Sequence, residues 1–255
     1  MTTFRAAGGF GLLLGALFVA GCSSPGPGGE MSARDPYEST NRVLHAGNVR
    51  LDTYLLRPAA KGYDFITPEL FQVMLANAYN HIDTVGDFAN YVFQGNVDGA
   101  LTALGRFTVN SVLGAAGLLD PATEFSLPKE DTDFGVTLGK YGAGEGAYLV
   151  LPLLGPSTSR DAIGAIGDRA LSPLTYVGIF VDGTIVDAAL PSQTVLQVVD
   201  ARNQNADLID DLLYESADSY ISLRSIYLQR RDSLIRGKDS GDEDLPDIFD
   251  EETSN

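Results

Sequence analysis

The sequence predicts a mostly α, single-domain protein. Three observations lead there. Apolar residues recur at helical spacing through most of the chain, Pro and Gly punctuate the segments, and a body of about 200 residues is long enough for one domain with a real core. No internal repeat is present.

The chain begins with MTTFRAAGG, which carries one charge, Arg5, and then runs through eleven apolar or small residues, Phe10 to Ala20. A membrane-spanning helix needs about 20 such residues, so this run has the length of a signal-peptide core rather than of a span. It ends in Val19-Ala20-Gly21-Cys22, and Cys22 is the sole cysteine, so no intramolecular disulfide is available. The four residues resemble the lipobox of bacterial lipoproteins. That resemblance implies cleavage before Cys22, S-diacylglycerol on its thiol and an acyl group on the new amine. The alternative is an ordinary signal peptide cut at an A-x-A-like site. Ser23 and Ser24 follow in place of the Asp that commonly retains lipoproteins at the inner membrane, so by analogy the destination is the outer membrane. The expected organisation is a lipoprotein signal peptide over 1–21, a flexible Pro/Gly tether over 22–34, a helical domain over 35–236 and an acidic disordered tail over 237–255.

In the body, Asp35 with Pro36 opens a first helix that is expected to stop at Pro58. Pro68 opens a second, with Leu70, Met74, Ala78 and Ile82 on one face; DFANYVFQGN then runs to Gly95. Val97, Leu101, Leu104, Thr108 and Val112 mark an amphipathic helix that ends in the glycine-rich LGAAGLLDP. Asp120 to Pro156 reads as loop, with YLVLPLL inside it as a buried strand or a membrane-contacting segment. Ser172 to Pro191 is apolar but holds Asp182 and Asp187; acids in a bilayer centre are costly, so a hairpin of two short helices turning at Asp182-Gly183 is expected rather than a span. Leu213, Tyr220, Leu223, Tyr227 and Leu234 define a long last helix. Periodicity alone packs these apolar faces into one globular core, although eleven Tyr also suit a membrane interface.

Charge narrows the function. A formal charge of −17, with eight acids and no base from Asp239 to Glu252, repels nucleic acid and anionic lipid surfaces, so no nucleic-acid partner is expected. The tail reads as solvated, with LPDIF as its one docking-like motif. No catalytic residue and no metal ligand set is expected. His45 and His81 both fall on helices, GPSTSRD lacks the closing glycine of a nucleophile elbow, and GKYGAGEGAY fits no phosphate-binding pattern.

The segments DPYESTNR, LDTYLLRPAAKGY, FQGN, GRFTVNSVLGAAGLLDPA, DFGVTLGKYGAGEGAYLVLPLLGPSTSRD and SYISLRSIYLQRRD run collinearly over nearly all of residues 35–232. Together they resemble the MlaA (VacJ) family of outer-membrane lipoproteins. The resemblance implies a ring of amphipathic, interfacial helices embedded in one membrane leaflet around an amphipathic channel. It implies non-enzymatic removal of mislocalised phospholipids, with a trimeric outer-membrane porin and a periplasmic phospholipid-binding protein as partners. No cofactor is implied beyond the covalent lipid on Cys22. The chain departs from the family at VLHAGN, where Leu44, His45 and Ala46 replace the usual aromatics, so contacts of that segment are expected to differ.

Candidate lipid-facing residues follow. Arg106 and Asn110 share a helix face in an apolar stretch; Arg106 meets a lipid phosphate or a buried acid such as Asp161. Arg160 and Asp161 line the channel or cap a helix beginning near Ser157. Arg224, Arg230 and Arg231 are expected to be solvated or paired with the acidic surface. The rival functions are a lipid esterase and a porin-bound adaptor that transports nothing.

Overall fold

The computed structural model describes residues 35–176 and 183–237, and the side chains of these except over 183–193. The expected signal peptide, Cys22, the tether, the turn at Asp182-Gly183 and nearly all of the acidic tail lie outside what is described.

The molecule is mostly helical and single-domain. The first helix, α1 (Glu38–Leu51), does not stop at Pro58. It passes through a π-helical turn, Asp52–Leu56, straight into α2 (Arg57–Ile66). The wide turn bonds the Arg57 N–H to the Asp52 carbonyl, five residues back, and Pro58 falls in the first turn of α2, where its missing N–H costs little. Helix α3 is one continuous rod, Glu69–Phe93, because nothing in DFANYVF interrupts it. Helix α4 (Val97–Val112) starts where the Asn96 side chain accepts the Gly99 N–H at 2.9 Å. It ends at three successive left-handed residues, Ala115, Ala116 and Gly117. A Cβ on Gly117 would sit 2.4 Å from the His81 ring, so this turn requires glycine.

The stretch read as loop contains real elements: α5 (Pro121–Glu124), α6 (Phe134–Lys140), capped by the Asp133 carboxylate, and the antiparallel pair β1 (Tyr148–Leu151) and β2 (Gly155–Thr158). YLVLPLL begins as the expected buried strand. Tyr148 and Val150 are buried in the strand, while Leu153 and Leu154 stand exposed at its turn. Helix α7 (Ser159–Leu171) is capped by Thr158, whose Oγ1 accepts the Asp161 N–H at 3.2 Å. The segment from Gly183 onward, expected as the second arm of a hairpin, is part of α8 (Gly183–Gln204), which runs through Pro191. After α9 (Ala206–Asp210) a second π turn, Asp211–Glu215, separates Leu213 from the last helix, α10 (Ser219–Arg236).

The expected globular core is absent from the described residues. Buried apolar residues form three small clusters built from Tyr, Ala and Val: Ala60, Tyr63 and Val199; Tyr91, Ala100 and Ala103; Tyr148, Val150 and Tyr220. The large apolar side chains point outward. On α4, Val97, Leu101 and Val112 are 67%, 61% and 74% exposed, whereas Gly99, Ala103, Arg106 and Asn110 are buried. Phe65 is 90% exposed, and Ile66, Leu70, Phe71 and Ile166 are exposed beside other parts of this surface. The hydrophobic stripe read from the sequence is therefore real, but it faces away from the protein. Among the described residues no helix is long and apolar enough to cross a membrane.

Polar ties do the work of a core. Asp35, 3% exposed, accepts from Asn41 at 2.9 Å, from Arg224 at 2.8 Å and from the Tyr220 hydroxyl. Asn41 also clips β1, donating to the Tyr148 carbonyl and accepting the Val150 N–H, both at 3.0 Å. Two helical turns on, Asn48 does the same with Leu151 and Leu153. A second tie joins the first π turn to α8 and α9: Arg202 grips Asp52 at 2.7 Å and Asp210 at 2.5 Å.

A charged cavity between α3, α7 and α10

A concavity of about 430 Å³ lies between α3, the 128–133 loop, the end of α7 and α10. Its size falls in the range of small-ligand sites. Its wall combines Ile82, Pro173 and Leu234 with five carboxylates (Asp83, Asp87, Asp131, Asp133 and Asp168) and three bases (Lys129, Arg230 and Arg231).

Several bonds fix these walls. The Tyr91 hydroxyl donates to the Glu130 carbonyl at 3.1 Å, Gln94 donates to Thr132 at 2.8 Å, and Lys129 reaches Asn80 at 2.7 Å, so α3 holds the loop along its length. Asp168 accepts the Phe134 N–H at 2.8 Å and Asn90 at 3.1 Å, joining α7 to α3 and α6. Arg231, 8% exposed, donates to Asp133 and, at 2.8 Å, to Asp161. Arg230 pairs with Asp131 at the mouth.

Electrostatics divide the carboxylates into two groups. Burial pushes the Asp87 carboxyl up to about 7; Lys129 opposes this, and Asp83, Asp131 and Asp168 add to it. Burial also raises Asp83, against the pull of Lys129, and raises Asp168 against its hydrogen bonds. Asp161 behaves oppositely. Burial would raise it, but the Tyr227 hydroxyl at 2.7 Å, the Arg231 charge and bonds from Thr158 and Arg160 hold it below its ordinary value.

Sequence reasoning placed Arg106 and Asn110 on one face, and they do converge, on Asp120. Arg106 Nη2 meets its carboxylate at 2.7 Å and Asn110 at 2.8 Å, while Nη1 donates to Thr123 and to the Leu127 carbonyl. The acid that pairs with Arg106 is thus Asp120, not Asp161. Arg160 bonds Asp161 at 3.0 Å, next to the Arg231 site. All three arginines of the last helix pair with acids, the second of the two expectations, but Arg224 and Arg231 do so buried rather than at the surface, and only Arg230 is 65% exposed. In the departing segment, His45 bonds Ser219 Oγ at 2.8 Å and Leu44 packs on the third cluster, so this part faces α10.

Asp83 and Asp87 were missed. Their signal is four-residue spacing on a 25-residue helix that contains no Lys or Arg. Among the described residues neither has a hydrogen bond or an ion pair. No three acids, histidines or cysteines stand together as a metal site in the described residues.

The comparisons with known proteins agree with this architecture. A family model described as MlaA lipoprotein matches residues 33–234. The intermembrane phospholipid transport system lipoprotein MlaA of Haemophilus influenzae is 32% identical, covering 91% of this chain and 94% of its own. Its Escherichia coli K12 counterpart is 31% identical over 89% and 88%. An uncharacterized protein of Rickettsia felis is 34% identical over 82% and 80%. A solved chain from work on the structural basis for maintenance of bacterial outer membrane lipid asymmetry superposes with a TM-score of 0.67 at 30% identity, covering 79% of this chain and 98% of that one. The chain belongs to the MlaA lipoprotein family.

Proposed function

We propose that this protein is an outer-membrane lipoprotein, anchored through acylated Cys22, that removes mislocalised phospholipid from the outer leaflet. It passes the lipid to a periplasmic phospholipid-binding protein, and it works beside a trimeric porin. The relatives' description as parts of an intermembrane phospholipid transport system supports this reading.

The observation that carries it is the inverted distribution of side chains: large apolar residues outside, small and charged residues inside. An apolar exterior without a spanning helix suits a body seated in one leaflet, where exposed Leu, Phe and Ile meet acyl chains instead of water. A charged interior gives a headgroup polar contacts that hydrocarbon cannot offer. Arg106 with Asn110, and Arg160 with Asp161, hold the walls of this path. No bond is made or broken, so the task is passage rather than chemistry.

The test is the amount of surface-exposed outer-leaflet phospholipid in cells with and without the gene, complemented by wild type or by Cys22→Ala. A rise on deletion that only the acylatable form reverses supports lipid removal from an anchored position. No rise would transfer the assignment to a porin-bound adaptor.

A further inference from the structure

Both π turns lie on one seam. The chain passes from α1 to α2 through Asp52–Leu56 and from α9 to α10 through Asp211–Glu215, and the described residues hold no other π turn. On one side of the seam α1 and α10 hold each other. Arg42 pairs with Asp218 at 3.0 Å, His45 bonds Ser219 at 2.8 Å, and Leu44 packs on the Tyr148 and Tyr220 cluster. On the other side α2 and α8 share the cluster of Ala60, Tyr63 and Val199, with Leu75 of α3 against it. Among the described residues no buried apolar cluster bridges the two sides.

What closes the seam is a clasp of charged and hydroxyl groups. Arg202 of α8 reaches Asp52 at 2.7 Å and Asp210 at 2.5 Å. Arg57 reaches Asp210 at 2.5 Å and lies over the Tyr214 ring, 4.8 Å from its centre. The Tyr214 hydroxyl donates to Asp52 at 2.6 Å, which joins one π turn directly to the other. The clasp is thinly covered: apart from Asp52, no residue of either π turn or of α9 is buried. It is also incomplete, since the Arg57 Nε–H is buried without an acceptor. Segments with few buried apolar contacts open at low free energy, and an unfilled donor lowers the cost of leaving the closed state.

A π turn suits such a seam. Its hydrogen bonds run five residues back, so it holds one residue more than an α turn. Passing that residue along the helix exchanges five-back bonds for four-back bonds. The flanking segment then moves by up to one residue's share of the helix, about 100° and 1.5 Å, with few backbone groups left open. Resting on the lipid-path reading above, we propose that the paired π turns are a hinge: α2, α8 and α9 tilt as one arm against the α1–α10 pair, and release of the Asp52, Arg202, Asp210 and Tyr214 clasp opens the lipid path. Helix α2 ends in the exposed Phe65 and Ile66, so on that reading the moving arm also meets acyl chains.

The experiment follows backbone amide exchange by mass spectrometry in the full-length acylated protein in detergent, beside surface-exposed phospholipid in cells carrying the same variants. In wild type the amides of the two π turns are expected to exchange at one shared rate, faster than those of α1 and α10; separate rates overturn the pairing. Deleting Tyr54, which is 80% exposed and outside the clasp, removes the surplus residue of the first turn and leaves Asp52 and Arg57 four apart on one face. That protein should keep the wild-type exchange of α1 and α10, slow the exchange of α2 by about tenfold and clear no lipid. Asp210→Asn with Tyr214→Phe tests the clasp from the other direction, even if the shortened protein fails to fold. Exchange should rise about tenfold in both π turns together, the effect of losing a charge-assisted bond. A rise confined to the second turn overturns the hinge, as does normal lipid clearance by the folded protein lacking Tyr54. A strain without the gene that shows no extra surface phospholipid overturns the lipid-path reading, while shared exchange rates still support the hinge.

Discussion

Asp87 shows what burying a carboxyl without a hydrogen bond or ion pair costs a fold. A carboxyl that is harder to ionise in the folded chain than in the unfolded chain lowers stability above its ordinary pKa. That cost is absent below about pH 4, grows as pH rises and is complete above about 7. Asp87→Asn removes it, so the variant should melt about 2–4 °C above wild type at pH 8 and together with it at pH 4.5, followed by thermal unfolding in detergent. The difference between the two proteins is the quantity to follow. His45 and His81, both lowered by burial, destabilise in the opposite direction as pH falls. Equal midpoints at pH 8 would remove the strain assigned to Asp87. At this scale the sequence was partly readable. Four-residue spacing correctly put Arg106 and Asn110 on one face, but the acid they share, Asp120, lies beyond a turn of three left-handed residues that no periodicity anticipates. Asp83 and Asp87 look like ordinary solvated acids in the sequence; in the fold Asp83 stays exposed, and only Asp87 is half-buried.

Among elements, α6 and α7 meet closely, backbone to backbone, at a pair of glycines. A Cβ on Gly164 would stand 2.5 Å from the Gly135 backbone nitrogen and 2.7 Å from its Cα, and backbone cannot swing aside as a side chain can. Gly164→Ala should therefore cost about 1–3 kcal/mol and loosen the wall that carries Asp168; a chemical-denaturation midpoint equal to wild type would show that the two helices separate freely. Helix content was legible for α3 and α4 because their apolar stripes are long. The elements hidden in the glycine-rich segment were not, because α6 and the β1–β2 pair have only seven and four residues and depend on partners distant in sequence. Pro58 misled for a specific reason. The breaker rule assumes an unbroken α ladder, and the π turn just before it supplies another hydrogen-bond pattern.

For the whole molecule, the stripes were visible but their direction was not, since a periodic pattern says only that one face is apolar and not what covers it. In water the expected cover is protein; on the function proposed above it is acyl chain. Leu101→Gln with Val112→Gln should change stability in detergent by no more than about 0.5 kcal/mol, because neither side chain is buried. Made in a Cys22→Ala background, the same pair should reduce the fraction of protein that stays with membranes after an alkaline carbonate wash. Undiminished retention would mean that the outward face of α4 does not touch lipid.

The tie at Asp35 has a bearing on when this chain can acquire its shape. Asp35 is the first described residue, and it is held by Tyr220 and Arg224, which lie 185 and 189 positions away. A charge buried to 3% exposure without those partners is strongly unfavourable, so the opening segment has nowhere stable to rest until the last helix exists. This tie therefore closes only once the last helix has been made, whichever end leads. In a polypeptide delivered as an open strand, a tie between its first and last helices is among the last to close, because both ends must have arrived before it can form.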